Sequence, residues 1–349
     1  MKRPRILFRP KKDVSRRGSI LVLALWTLAL LTVFAVHIAL QVRQKITLLS
    51  RLEKRARLSS MVQSGVTKAV AVIRETDQLP GPDTSAAKKM LRFNNPEMFK
   101  AVPLGGGTVE ISQVDFHDGI GSPGRRYGVA DEDGMINVNT SGVGILSHLI
   151  AHVTGMSSVD AVVLARAIVD WREPGSSELE GFYSDSFYEN LRHPYQPKKA
   201  DFEVLDELLL VQGMTPEIYG MMTPFVTVYS HGQVNINTAS PPVLAALGMG
   251  EPLVTKILMV RRGPDGQDAT LDDYIFQESQ GIPAVLVSLV TLEDEEIQRI
   301  DGLVSSGLLG TWSTAFRIQA RASISGTGET KYATCVFARE GGKIIYWRE

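Results

Sequence analysis

From Ser19 to Leu40 the chain has no Asp, Glu, Lys or Arg, and the pattern changes sharply on either side. Helical at about 1.5 Å per residue, that run would cross a hydrocarbon layer of roughly 30 Å. From Gln41 to Glu75 there is no proline, and Gly65 is the only glycine. There Val42, Ile46, Leu49, Leu52, Ala56, Met61, Ala69, Val70 and Ile73 recur mostly at helical spacing, with Arg43, Lys45, Arg51, Lys54, Arg55 and Arg57 between them. The pattern predicts one unbroken helix, apolar first and then amphipathic, which Leu79-Pro80-Gly81-Pro82 ends.

Beyond it, a short helical piece is expected around 86–93. Thr108–Phe116 alternates as a strand, Gly119–Gly124 reads as its turn, and Tyr127–Ala130 reads as a second strand. An internal repeat follows: Met135-Ile-Asn-Val-Asn-Thr140 returns as Val234-Asn-Ile-Asn-Thr-Ala239. Each copy precedes two helices separated by a Gly-containing turn, Val143–His152 with Val159–Trp171, and Pro241–Leu247 with Pro252–Arg262. Thr140 or Ser141, and Thr238 or Ser240, are the expected N-caps. Between the copies Phe202–Gln212 and Pro216–Met222 read as another helical pair. Ala315–Ile324, Tyr332–Arg339 and Lys343–Trp347 alternate as three antiparallel strands. Strands before and after a helical stretch predict an α+β arrangement, one small sheet with a helical domain inserted.

Charge adds an orientation. Lys2, Arg3, Arg5, Arg9, Lys11, Lys12, Arg16 and Arg17 stand before the apolar run against Asp13 alone, so the leader is expected on the cytoplasmic side. Three readings compete for such a start. A secretory signal has a shorter apolar region and a small-x-small cleavage site, which this run lacks. A plain signal anchor fits the length. A prepilin leader, cut on the cytoplasmic side between Gly18 and Ser19, also explains a glycine set between the basic and apolar runs. The net charge of −1 and pI near 6.6 give no general attraction to nucleic acid, and Cys335 has no partner for a disulfide.

Candidate chemistry is sparse. The repeats look like helix-hairpin-helix units, whose DNA-binding forms hold phosphate on hairpin N–H groups with cations nearby. Gly248–Pro252 with Lys256, Arg261 and Arg262 is the best match, although Glu251 sits in the hairpin. The alternative is that the Asn residues satisfy backbone groups at helix entrances, making the units packing modules. Asp170–Glu180, followed by Asp185, forms an acidic loop able to offer oxygens to calcium, without EF-hand spacing. Asp131-Glu-Asp-Gly134 reads as a turn into a strand. No Gly-x-Ser-x-Gly, His-Glu-x-x-His or phosphate-binding loop occurs, so nothing argues for catalysis.

Taken together the chain resembles the K-type minor pseudopilin of bacterial type II secretion, the general secretion pathway protein K family. The resemblance rests on Gly18-Ser-Ile-Leu-Val-Leu-Ala-Leu-Trp26, Asp131–Thr140, Asp170-Trp171, Leu208–Gly213, Pro224–Val228 and Val234–Ala239, in that order. It implies a pseudopilin fold: a long N-terminal membrane and amphipathic helix on a small antiparallel sheet, with a large inserted helical domain. The corresponding segments are 1–18 (leader), 19–40 (membrane), 41–76 (amphipathic helix), 77–140 with 305–349 (sheet domain) and 141–304 (insertion).

The resemblance further implies cleavage between Gly18 and Ser19 by prepilin peptidase and methylation of Ser19. It implies a single pass through the inner membrane with the globular part in the periplasm, next to the secretion assembly platform. The implied partners are the I- and J-type minor pseudopilins, with this subunit at the pseudopilus tip and no nucleic acid. Leu23 stands where most pilins have a Glu that neutralises a neighbour's N-terminal amine. A tip subunit has no such neighbour above it. Calcium, where the family has it, would draw on Asp170, Glu173, Glu178, Glu180 and Asp185. Arg172-Glu173-Pro174 departs from the family pattern there. The reading from another class is a membrane-anchored helix-hairpin-helix DNA-binding protein of competence.

Overall fold

The computed structural model describes residues 17–78, 92–116, 123–173, 179, 182 and 184–349. The chain divides into two units, Met1–Arg57 and Leu58–Glu349. Helix α1 (Arg17–Gln78) begins in the first and runs into the second. In the first unit its apolar side chains are open: Leu23 is 66% and Trp26 73% exposed. Among the described residues this is the one helix long and apolar enough to cross a membrane.

The second unit opens with the rest of α1. Next come α2 (Pro96–Phe99), β1 (Val102–Leu104), β2 (Gly107–Asp115), β3 (Gly124–Tyr127) and β4 (Ala130–Asp131). A 3-10 turn (Glu132–Gly134) leads to β5 (Ile136–Asn137), α3 (Val143–Thr154), α4 (Ser158–Arg172) and α5 (Asp185–Glu189). After a second 3-10 turn (Leu205–Leu210) come α6 (Pro216–Met222), β6 (Val226–Thr227) and β7 (Val234–Asn235). Then follow α7 (Pro241–Ala246), α8 (Glu251–Arg261), α9 (Ile282–Leu289), α10 (Asp294–Ser305) and β8 (Leu309–Gly310). The long strands β9 (Ala315–Ile324), β10 (Thr330–Ala338) and β11 (Lys343–Arg348) close the chain.

The main sheet is antiparallel in the order β1-β2-β9-β10-β11, with β3 on β2 and β4 on β9. Strand period two divides β9 between two jobs. Phe316, Ile318, Ala320, Ala322 and Ile324 face a core made with Leu58, Met61, Val62, Val66, Ala69, Val72 and Ile73 of α1. Arg317, on the other face, is buried among different partners. Gly65 is explained by that core: a Cβ there would lie 2.4 Å from the Val109 side chain, so its absence lets α1 approach β2.

The helices from α3 onward form a second core, and their order reveals a repeat longer than the motif that announced it. Each copy runs strand, two helices, a loop ending at a buried Phe (carrying α5 in the first copy), two further helical segments, and a strand. In the first copy the closing strand β6 pairs parallel with the opening β5, Ile136 opposite Val226. In the second, β8 pairs parallel with β7, Val234 opposite Leu309. The Gly-Met pairs at 155, 213 and 248 mark three hairpins, each glycine taking φ of +70, +82 and +80°, where a β-carbon is disfavoured.

Several local expectations need correcting. Segment 202–212 is not a helix but an extended approach and a six-residue 3-10 turn, held by the Glu207 carboxylate, which accepts from Glu203 N at 2.9 Å and Val204 N at 3.3 Å. The α3 N-cap is Gly142, not Thr140 or Ser141. Of the two caps expected for α7, Ser240 is the N-cap, without a side-chain bond, while the Thr238 hydroxyl donates to Asp131 instead. The turn expected at 119–124 and the helical piece around 86–93 lie largely outside the described residues.

Candidate functional site

Two asparagines build each repeat. Asn137 Oδ1 accepts from Asn139 N at 2.7 Å, and Asn235 Oδ1 accepts from Asn237 N at 3.0 Å, which sets the turn into the first helix. The second asparagine of each pair reaches across the copy. Asn139 Oδ1 accepts from Phe202 N at 2.8 Å while its Nδ2 donates to Phe202 O at 2.9 Å. Asn237 treats Phe276 identically, at 2.8 and 2.9 Å. Buried arginines complete the pattern from the last residue of the second helix: Arg172 donates to Ser141 O at 2.8 Å, and Arg261 to Ala239 O at 2.6 Å. The packing role expected of the asparagines is the one the geometry assigns. Asn139→Ala is expected to leave both backbone groups of Phe202 without a partner, costing about 1–3 kcal/mol in a denaturant titration. Asn237→Ala is expected to match it at Phe276.

The cations of the second hairpin are committed inward. Lys256 Nζ lies 2.7 Å from Glu296 Oε2, Arg261 is 4% exposed, and Arg262 Nε lies 3.3 Å from Asp268 Oδ2. Burial lowers the Arg261 guanidinium to about 10. A hairpin whose charges are neutralised internally offers duplex DNA little electrostatic gain.

Where sheet and repeats meet lies a cluster that pattern reading took for a turn. Asp131, Glu132 and Asp133 are only 9, 0 and 2% exposed. Each binds a different segment. Asp131 Oδ2 accepts from Asn235 Nδ2 at 3.0 Å, Thr238 Oγ1 at 2.6 Å and Ser313 Oγ at 2.7 Å, tying β4 to the second copy. Glu132 holds Arg317 of β9 through two bonds of 2.6 and 3.0 Å, and accepts from Thr227 Oγ1 at the end of the first copy. Asp133 accepts from Thr314 N at 2.6 Å and its hydroxyl at 2.8 Å. Arg339 supports that segment, donating to Ser313 O at 2.7 Å with its guanidinium 4.2 Å from the Trp312 ring centre. The acids therefore pin both copies to the sheet. Desolvation raises the Asp131 carboxyl to about 7, with the nearby Asp133 adding to the rise, and burial also raises Asp133.

The residues singled out from the acidic loop are only partly brought together. Asp170, 4% exposed near the end of α4, has Oδ1 at 2.9 Å from Lys199 Nζ and Oδ2 hydrogen-bonded by Ser184 Oγ. Asp185 Oδ1 lies 3.4 Å from the same ammonium. Glu173 turns to Arg172 Nε at 3.0 Å, with its side chain 52% exposed. Glu178 and Glu180 lie outside the described residues. Among the described residues no three His, Cys, Asp or Glu side chains gather as for a metal ion. Lys199, which sequence reading passed over, is held at φ +52° with its amide donating to Trp171 O at 2.6 Å. Gly18 and Ser19 lie in the first turns of α1.

Comparison with known proteins places this arrangement. Residues 128–231 match the family model for protein K of the type II secretion system (T2SS). The type II secretion system protein K of Aeromonas hydrophila is 32% identical over 91 residues, a stretch spanning 25% of this chain and 28% of that relative. In structure the chain is similar, with a TM-score of 0.60 and 15% identity, to a chain of the GspK-GspI-GspJ complex from the enterotoxigenic Escherichia coli type 2 secretion system. That likeness covers 86% of this chain and 97% of that one.

Proposed function

We propose that this chain, which carries the type II secretion protein K domain, is a K-type minor pseudopilin, an assembly subunit rather than an enzyme. The observation that carries the reading is α1 itself. Its apolar, exposed start has the length and composition of a membrane span. The same helix then buries Leu58, Met61, Val62 and Val66 against an antiparallel sheet. An ordinary anchor needs no such continuity, whereas a subunit drawn from the membrane into a filament does.

In this reading prepilin peptidase cuts between Gly18 and Ser19 on the cytoplasmic face of the inner membrane and methylates Ser19. The globular part lies in the periplasm beside the assembly platform. There it joins I- and J-type minor pseudopilins, as the complex that gave the structural likeness joins GspK, GspI and GspJ. Leu23 supports placement at the tip, since an ionised Glu in hydrocarbon costs about 2.5–3.5 kcal/mol or more without a neighbour's amine. Initiation of the pseudopilus that exports folded proteins follows from the tip position.

Mass spectrometry of the chain coexpressed with a prepilin peptidase tests the processing step. A mature N-terminus at methylated Ser19 is expected, and an intact leader would sink the reading. Copurification with I- and J-type subunits tests the assembly step separately.

A further inference from the structure

Lys199 occupies an unusual place. Its backbone N–H and its ammonium both address the C-terminal end of α4, the first bonding Trp171 O at 2.6 Å, the second approaching Asp170 O at 3.2 Å. Unpaired carbonyls at a helix C-terminus attract positive charge. Around the same nitrogen stand Asp170 Oδ1 at 2.9 Å and Asp185 Oδ1 at 3.4 Å. The hollow is thus lined by oxygens from two carboxylates and a main-chain carbonyl, the ligand type a hard divalent cation prefers. A lysine held in the left-handed region is uncommon, and here the surrounding bonds impose it.

We propose that the Lys199 ammonium is the resident cation of this hollow and ties the end of α4 to the start of α5 without calcium. The donor set does not fit a divalent ion as it stands. Calcium takes six to eight oxygens at about 2.3–2.6 Å, and to use Asp170 it would have to sit within about 3 Å of the ammonium or expel it. Two positive centres at that separation repel even here, where the Lys199 and Asp185 side chains are 27 and 67% exposed. Asp170 is also satisfied without a metal, since Ser184 donates to its other oxygen. The neighbouring Lys198 is engaged elsewhere, 3.0 Å from Glu207, so the charge in the hollow belongs to Lys199. The inference does not depend on the secretion role.

Thermal melting of the full chain in detergent, with chelator or with calcium at about 1 mM, where extracellular modules load, tests it. The unsubstituted chain is expected to melt within about 1 °C in both. Lys199→Met is expected to lose several degrees in chelator and to regain much of the loss with calcium, which enters the vacated oxygens. Lys199→Arg is expected to remain indifferent to calcium. A calcium-dependent rise of several degrees in the unsubstituted chain would overturn the proposal. So would a Lys199→Met chain that melts normally in chelator, or one that calcium does not restore. Should Lys199→Met fail to fold, the unsubstituted chain and Lys199→Arg decide the matter alone.

Discussion

Replacing Arg317 by alanine is expected to cost roughly 3–5 kcal/mol, the range for stranding one partner of a buried ion pair. Glu132 is fully buried, and among the described residues the guanidinium is its only cationic partner, at 2.6 and 3.0 Å. Without it the carboxylate keeps the Thr227 hydroxyl alone, far from water. The pair also spans 185 residues of sequence and joins β9 to the turn that opens the repeats. Its loss therefore weakens the junction as well as a local contact. Changing both partners, as Glu132→Gln with Arg317→Met, is expected to recover much of the loss, because the penalty comes from an unpaired charge and not from the absence of an attraction. Denaturant titration of the two singles and the double gives the cycle. An Arg317→Ala chain within about 1 kcal/mol of the parent would show that Glu132 finds water or a proton instead.

Much of the fold was legible because it is local. The alternation of Ala315–Ile324 is the observed β9, and Pro216–Met222, with Thr215 capping Ile218 N at 3.3 Å, is the observed α6. The repeat was legible only in part. Asn-x-Asn recurs in both copies, and each amide oxygen and nitrogen of those side chains has a partner. The later helices share no such pattern, so α9 and α10 were not seen as partners of the 3-10 turn at 205–210 and α6. Least legible was the junction. Asp131, Glu132 and Asp133 do lead through a turn into a strand, as read, but their burial was illegible because their partners, Asn235, Arg317 and Thr314, lie far along the chain. Lys199 was missed for the same reason: nothing near it in sequence announces Asp170. By contrast the long apolar run of α1 is a matter of composition, and it is read without knowing any contact.

The junction also predicts an unusual pH profile: the chain is expected to be more stable at mildly acidic pH than at mildly alkaline pH. Burial raises the Asp131 carboxyl to about 7 and raises Asp133 as well, so in this interval the folded chain binds more protons than the unfolded one. The contribution is fully present below the ordinary carboxylate range and is lost as pH rises through about 7. Protonated, Asp131 still suits its surroundings, because its new O–H can turn to the Thr238 or Ser313 hydroxyl, either of which accepts as well as donates. Glu296 and Glu349, whose carboxyls are lowered by lysine partners, act in the opposite sense and only at lower pH. Melting temperatures from about pH 5 to pH 8 are therefore expected to fall with rising pH in the parent. Asp131→Asn, which cannot ionise, is expected to flatten that fall whatever it does to the absolute value. Parallel profiles for parent and variant would mean that Asp131 stays ionised throughout, its four donors outweighing its burial.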